Sequence, residues 1–178
     1  MDLIRAAREG EEPAFLQLFD EHYSSLYRFA CRMTGSPADA EDIVQECFLE
    51  LLRPGCSYNP DRTPIRTYLF GVVRNQSLKR RRRREVSGED SPEARTEVSP
   101  EGQALQSELD GTVAQAVAEL PEGYREVLIL AHYEQMPLAE IARVLEIKPT
   151  TAKSRLQWAR AQLKEILAPY VSGMERKR

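Results

Sequence analysis

The sequence predicts an all-α fold in which two small helical domains are joined by a flexible linker. Apolar residues recur mostly at intervals of three and four, and no convincing alternating run indicates a strand. Residues 85–99 are rich in Ser, Pro, Gly, Glu and Asp and almost lack apolar side chains, which is typical of a linker. We place a three-to-four-helix domain at residues 1–84, the acidic linker at 85–103, a four-helix domain with a helix-turn-helix at 104–170, and a basic tail at 171–178.

The first domain is predicted to contain three main helices. The first covers residues 13–33, and the second follows Ser36, an N-cap, and Pro37, a first-turn proline, to end near residue 52. After a loop containing Pro, Gly and Asn, the third begins behind a Thr-Pro pair and runs into six consecutive basic residues at 79–84. The inward positions of the first helix are Phe15, Leu18, Phe19, Leu26 and Ala30.

Four helices are predicted in the second domain. One follows Ser99-Pro100 and extends to Leu120, and a buried helix covers residues 124–133 before a Gln-Met-Pro sequence interrupts it. Two further helices, at 138–145 and 150–167, are separated by a short turn. This last pair has the proportions of a helix-turn-helix.

Charge is distributed in alternating blocks. The chain has a net charge of −3 and a pI near 5.6, values that argue at first against a nucleic-acid-binding protein. Its segments, however, carry −7 over residues 1–52, +9 over 53–84, −9 over 85–126 and +4 over 127–178. The two basic blocks predict two separate surfaces for polyanions, whereas the acidic blocks either solvate the protein or meet a basic partner.

Composition also limits the classes of function. No apolar run is long enough for a membrane span and no secretory signal is present, so we expect a cytoplasmic location. Cys31 and Cys47 read as small buried hydrophobes, the role of Cys56 in its loop is open, and no zinc-type spacing exists. No nucleophile, paired-carboxylate or phosphate-loop motif appears, so we expect no enzymatic activity, no cofactor and no metal.

The most specific pattern lies in residues 137–167. Ala152, Leu156, Ala159, Leu163 and Ile166 form one inward stripe on the second helix of the pair, and the opposite face carries donors and cations suited to base edges and phosphates. The alternative is an ordinary helical hairpin with a solvated basic face. Trp158 lies off the stripe and packs either on a groove wall of DNA or on the other helices. The polar face comprises Thr151, Lys153, Ser154, Arg155, Gln157 and Arg160.

The basic run of the first domain gives a second candidate surface. Residues 79–84 follow Tyr68, Phe70, Arg74 and Asn75 on one helix, and cations beside rings and amides suit single-stranded nucleic acid. A solvated helix end is the alternative interpretation. The loop before this helix adds Tyr58, Asn59 and Arg62.

An acidic face on the second helix gives a third candidate. We interpret it as a docking face for a basic helical partner, with Phe48 as apolar anchor and the carboxylates setting orientation. A solvated acidic face is the alternative. The face comprises Asp39, Glu41, Asp42, Gln45, Glu46, Phe48 and Glu50.

Taken together, these segments resemble the extracytoplasmic-function (ECF) sigma factors, a two-domain branch of the sigma-70 family. FACRMTGS at 29–36 and DAEDIVQECF at 39–48 are similar to the family's polymerase-binding segment. YLFGVVRN at 68–75 is similar to its promoter-melting helix, with Tyr68 where the family usually has Trp. LPEGYREV at 120–127, together with residues 141–160, resembles its −35-binding domain.

The resemblance implies a role for each surface. Core RNA polymerase would be bound by Asp39, Asp42, Gln45 and Phe48. The melted non-template strand of the −10 element would be bound by Tyr58, Asn59, Arg62, Arg74, Asn75 and Arg80. Duplex DNA of the −35 element would be bound by Thr151, Lys153, Ser154, Arg155, Gln157 and Arg160. The resemblance also implies a monomer and an anti-sigma factor as a further partner.

The function expected from this resemblance is promoter recognition and melting as part of RNA polymerase. The alternative is a stand-alone helix-turn-helix regulator, which would bind duplex DNA tightly by itself and as a dimer on two half-sites. A sigma factor would instead bind promoters poorly without core polymerase.

Overall fold

The computed structural model describes residues 3–88 and 107–175, with side chains described for 3–88 and 111–170. Over this part of the chain the fold is all-α, as predicted, and contains no strand. The chain divides into two compact units, Met1–Arg95 and Thr96–Arg178. The first contains α1 (Leu3–Arg8), α2 (Glu12–Thr34), α3 (Pro37–Leu52) and α4 (Ile65–Ser87), and the second contains α5 (Ser107–Glu119), α6 (Glu122–His132), α7 (Leu138–Val144) and α8 (Pro149–Glu175).

The core of the first unit lies where α2, α3 and α4 meet. Leu26 and Phe29 of α2, Ile43 of α3, and Leu69 and Phe70 of α4 are almost fully buried. The rings of Phe29 and Phe70 meet edge to face with their centroids 5.3 Å apart, an arrangement that stabilises beyond the area it buries. The three helices therefore hold fixed the outer faces of α3 and α4, where two of the predicted surfaces lie.

A short first helix, α1, is present that the sequence does not predict. Its Ile4, Ala6 and Ala7 are buried. Arg8 donates from Nε to the carbonyl oxygen of Leu51, at 2.9 Å. Because the last carbonyls of a helix lack partners and carry partial negative charge, this cation stabilises the end of α3.

The predicted junction between α2 and α3 is confirmed. Gly35 adopts the left-handed conformation with φ of 70°, and its N–H donates to the carbonyl of Cys31, which ends α2. Ser36 then caps α3, because its hydroxyl accepts from the backbone N–H of Asp39 at 3.2 Å, and Pro37 opens the first turn.

Helix α4 extends beyond its predicted end into the segment assigned to the linker. It includes the whole basic run and continues to Ser87, where Gly88 in the left-handed conformation ends it. The last turns are supported by an Arg81–Glu85 ion pair at 3.8 Å and by a hydrogen bond from Ser87 Oγ to the carbonyl of Arg83. The basic residues are thus held on a rigid helix.

The second unit packs α5, α6 and α7 against α8. Arg125 of α6 is buried and donates from Nη2 to the carbonyls of Ala118 and Leu120, which fastens the end of α5 to the first turn of α6. The predicted start of α5 at Ser99-Pro100 lies outside the described residues. Helix α8 continues past the predicted end at 167 as far as Glu175, with Pro169 inside it.

The turn between α7 and α8 has the geometry of a helix-turn-helix. Glu146 adopts a left-handed φ of 55°, and the N–H of Ile147 donates to the carbonyl of Ala142 at 2.9 Å. Pro149 opens α8, where its missing N–H removes no hydrogen bond. None of the helices in the described ranges is long and apolar enough to cross a membrane.

Candidate functional site

Helix α8 presents one buried and one exposed face. Ala152, Leu156 and Ala159 pack into the second unit, as predicted. Four residues of the predicted polar face are exposed, and because they recur at intervals of three and four they lie along one side of the helix. These four are Lys153, Ser154, Gln157 and Arg160.

The exposed stripe is longer than the sequence predicts. Thr150 and Lys164 are also exposed and continue the same periodicity, and the small, exposed Ala161 lies between Gln157 and Lys164. From residue 150 to residue 164 the helix rises about 21 Å. The signal that could have revealed them is the three- and four-residue spacing itself, extended by one turn at each end.

Two residues of α8 are directed toward the start of α6 instead. Arg155 is half-buried, and its guanidinium lies against Gly123, so closely that a Cβ on Gly123 would approach Nη1 to 2.9 Å. The ring of Trp158 lies 4.0 Å from the ring of Tyr124, centroid to centroid, while 39% of Trp158 stays exposed. Of the two alternatives for Trp158, packing on the unit's own helices is what the structure shows.

The loop before α4 is fastened to that helix by sulfur and aromatic contacts. Tyr58 is only 8% exposed, and its ring lies 5.0 Å from the ring of Tyr68. The thiol of Cys56 lies 3.3 Å from the Tyr68 hydroxyl and accepts the backbone N–H of Tyr58. Burial, and then the hydrogen bond with Cys56, raises the pKa of Tyr68 to about 12. Cys56, whose role the sequence leaves open, thus holds the loop, and Tyr58 supports it from beneath.

The polar residues of this surface lie at its exterior. Asn59 and Arg62 are exposed, and Asn59 Oδ1 accepts the backbone N–H of Asp61 at 2.9 Å, which shapes the loop. On α4, Asn75 is exposed and its Oδ1 accepts from Arg74 Nη1 at 3.3 Å. These two side chains lie on the same side of α4 as Leu78, Lys79, Arg82, Arg83, Val86 and Ser87, which follow them at intervals of three and four residues.

Arg80 does not lie with the other predicted DNA-binding residues. Its Nη1 is 3.1 Å from Asp39 Oδ1 and 3.6 Å from Asp42 Oδ2, and its Nη2 is 3.2 Å from Glu46 Oε1. Arg84 adds a contact of 2.6 Å from Nη2 to Asp39 Oδ2. A residue predicted to bind nucleic acid is therefore paired with two residues predicted to bind polymerase. The two surfaces look separate in the sequence because the spacing within each helix does not reveal which helix faces meet.

The prediction of Phe48 as an exposed anchor is wrong. Phe48 is 3% exposed, and its ring packs against Phe19 and Phe15 of α2 with centroid distances of 5.1 and 6.2 Å. Asp42 and Gln45 are exposed as predicted, whereas Asp39 is largely covered by the arginines. The physical reason is that Asp42 and Gln45 lie on the outer side of α3, whereas Phe48 lies on the inner side that packs against α2.

Of the two cysteines predicted to be buried, Cys47 is buried and Cys31 is only half-buried. Cys47 is buried, and burial raises the pKa of its thiol to about 12. Burial also raises the pKa of Cys31, which is half-buried. Among the residues that the structure describes, no group of three or more His, Cys, Asp or Glu could hold a metal ion.

The fold and these surfaces define a class of protein: a two-unit helical protein with a helix-turn-helix in one unit and a cationic helix bearing exposed amide and guanidinium groups in the other. The family model for sigma-70 region 2 matches residues 18–86, and that for sigma-70 region 4 matches residues 111–163. The first match covers α4 and its loop, and the second covers the helix-turn-helix.

Individual relatives match nearly the whole chain. The ECF RNA polymerase sigma factor SigL of Mycobacterium tuberculosis is 34% identical, over 89% of this chain and 92% of its own length. SigW of Bacillus subtilis, also an ECF sigma factor, is 28% identical over 92% and 94%. Among solved structures, CnrH in complex with the cytosolic domain of CnrY superposes with a TM-score of 0.72 at 28% identity, covering 94% of this chain and 96% of that one.

The chain belongs to the ECF sigma factors of the sigma-70 family. It is accordingly an RNA polymerase sigma factor, a promoter-recognition subunit that acts by binding core polymerase and DNA and has no enzymatic activity of its own.

Proposed function

We propose that the exposed stripe of α8 enters the major groove of the −35 element. The observation that carries this proposal is the division of α8 into a buried apolar face and an exposed face of cations, hydroxyls and amides. A major groove about 12 Å wide accepts a helix, and the Lys, Arg, Gln and Ser groups on this stripe suit base edges and phosphates. Lys153, Ser154 and Gln157 would meet bases, and Arg160 would meet a phosphate.

Thr151, Arg155 and Trp158 have supporting parts in this proposal. Arg155 and Trp158 rest on Gly123 and Tyr124, so they fix how far α8 projects from α6. Thr151 is half-buried, and its carbonyl accepts the hydroxyl of Ser154 at 3.0 Å. Arg155 would reach DNA from this fixed position, at the edge of the stripe.

The melted −10 strand would be bound by the loop before α4 and by the side of that helix that carries Arg74 and Asn75. Asn59, Arg62, Arg74 and Asn75 offer donors and acceptors to an unstacked base, and the cations of α4 offer charge to its phosphates. Tyr58 would hold the loop in place from beneath. Arg80 would take part only after leaving the carboxylates of α3.

Core polymerase would dock on α3. Asp42 and Gln45 are exposed on this helix and suit a basic helical partner, and Asp39 contributes at its edge. Docking would place α1–α4 at the −10 element and the helix-turn-helix unit at the −35 element, with the chain after Gly88 as the connection between them. The two DNA contacts are each weak alone, but held on one polymerase they would together give tight binding to the promoter.

We also infer that the chain works in the cytoplasm as a monomer and is held there by a protein inhibitor until needed. Support for a bound protein partner comes from the similar protein CnrH, solved in complex with the cytosolic domain of CnrY. A competition assay tests this inference. A protein that binds the chain is the proposed inhibitor only if an equimolar amount of it displaces core polymerase from the chain. A partner that binds without displacing polymerase would contradict the proposal.

Run-off transcription tests whether the chain directs core polymerase to promoters through two DNA elements. Purified core polymerase is supplied with this chain and with a library of promoter fragments, and the new start sites are aligned. We expect two upstream elements at one fixed spacing. Tight duplex binding by the chain alone, without new transcripts, would instead favour a stand-alone regulator.

A further inference from the structure

Gly123 lies in the first turn of α6, at a position where the backbone does not require a glycine. It belongs to the regular helix, and its φ lies outside the left-handed region. Glycine is also a poorer helix residue than alanine. A Cβ at this position would lie 2.9 Å from Nη1 of Arg155, 3.3 Å from Cζ and 3.8 Å from Nη2. Gly123 therefore provides space for the guanidinium group of Arg155.

The guanidinium group of Arg155 lies with its flat side on this glycine. The three distances, combined with the planar shape of the group, place a Cβ at position 123 above that plane and nearest to Nη1. Guanidinium N–H groups point outward within the plane, so Gly123 leaves them uncovered. Among the side chains described for 3–88 and 111–170, none accepts a hydrogen bond from Arg155 or pairs with its charge. This half-buried cation thus keeps its donors for a ligand outside the chain.

A neighbouring aromatic contact holds α8 at a fixed distance from α6. The ring of Trp158, about one turn after Arg155, lies 4.0 Å from the ring of Tyr124, centroid to centroid. The two helices are therefore fastened together beside Gly123 and do not separate readily to admit a larger residue. The Arg155 side chain, in contrast, ends several rotatable bonds away from its backbone and can turn aside. A methyl group at position 123 should thus move the guanidinium group and not the helices.

We infer that Gly123 is a specificity-determining residue of the −35 site and acts by orienting the Arg155 guanidinium group toward a guanine. The inference rests on the proposed function and names a residue outside α8 that governs base choice. Guanine offers O6 and N7 in the major groove, and a guanidinium group of fixed orientation donates to both at once. If Arg155 were free to turn, it would still attract phosphates but would lose this bidentate preference. Because Gly123 acts only through Arg155, it is a positioning residue.

The test uses holoenzyme assembled from core polymerase and the full chain, with promoters in which each −35 base pair is varied in turn. Run-off yields at limiting promoter concentration measure the preference for guanine at each position. The matched control for Gly123→Ala is Gly111→Ala in α5, where an added Cβ meets nothing within 4 Å. We expect Gly123→Ala to lower the preference for guanine at one base pair about tenfold, because one bidentate contact is lost. Gly111→Ala should leave every preference unchanged.

Two arginine variants separate positioning from a purely structural role. Since Gly123 acts through Arg155, Gly123→Ala should change no preference further when Arg155 is already replaced by Ala. Arg155→Lys keeps the charge but lacks the planar fork, so it should lose the same guanine preference while Gly123 is intact. Both glycine variants should match or exceed the urea midpoint of the wild type, because alanine favours the helix.

Uniform weakening on every −35 sequence would overturn the inference, because Arg155 would then contact only phosphate. A loss that persists in the Arg155→Ala background, or a guanine preference that survives Arg155→Lys, would overturn it as well. So would a urea midpoint for Gly123→Ala below that of Gly111→Ala, since α6 itself would then have moved. A wild-type holoenzyme without any preference at the −35 element refutes the proposed function, whereas an unchanged preference in Gly123→Ala refutes this inference alone.

Discussion

Trp158 provides a direct test of how the helix-turn-helix is held. It is the only tryptophan of the chain, it packs on Tyr124 with a centroid distance of 4.0 Å, and about 60% of it is covered. Covering about 150 Å² at ~25 cal/mol per Å² gives roughly 3–4 kcal/mol as an upper bound, because unfolded chains already bury part of this surface. We expect Trp158→Ala to lower the free energy of unfolding of the second unit by about 2–3 kcal/mol.

Urea denaturation followed by circular dichroism measures this loss, because the variant lacks the fluorescent residue. A double-mutant cycle with Tyr124→Ala should give a coupling energy of about 0.5–1.5 kcal/mol. The matched control is Tyr170→Ala, an exposed aromatic on the same helix, which should cost less than about 0.5 kcal/mol. Additive effects of the two substitutions, or lost hydrogen-exchange protection in α2–α4, would refute the reasoning.

Three further predictions concern pH and the two binding surfaces. Burial lowers the pKa of His22 below 6.5, so the unfolded chain takes up the proton at a higher pH than the folded chain, and stability should fall as pH drops through 6.5. Urea midpoints measured between about pH 5.5 and 7.5 should therefore fall more steeply for the wild type than for His22→Gln. Equal slopes for the two proteins would contradict this prediction. Lys153→Ala with Arg155→Ala should weaken −35-dependent initiation about tenfold or more at unchanged polymerase affinity, and lost polymerase binding would contradict the assignment of α8. Asp42→Ala with Gln45→Ala should weaken polymerase binding in a competition assay, and altered promoter choice at unchanged affinity would contradict the docking face.

Periodicity and turn chemistry predicted the fold because they act locally. The cap at Ser36, the left-handed Gly35 and the inward stripe of α8 each follow from residues within one or two turns. Helix α1 escapes prediction because six residues cannot form a stable helix alone, and its existence depends on packing against α2 and α3.

The candidate surfaces were predictable only within single helices. The exposed stripe of α8 follows from spacing along one element, and the structure extends it by one turn at each end. The ion pairs of Arg80 join residues 41, 38 and 34 positions apart, and nothing in the sequence shows that their helix faces meet. Phe48 was misassigned for the same reason, since its partners Phe15 and Phe19 lie on a different helix.

The hydrogen bond from Arg8 to the carbonyl of Leu51 has a practical consequence for shortened forms of the protein. By sequence, the first ten residues look dispensable, because they precede the first long helix. Removing them would leave the last turn of α3 without its cation and would uncover apolar surface on α2 and α3. In a truncated chain the last turn of α3, the helix proposed to bind polymerase, would thus fray. The resulting weak activity would be misread as the loss of a residue that contacts polymerase directly.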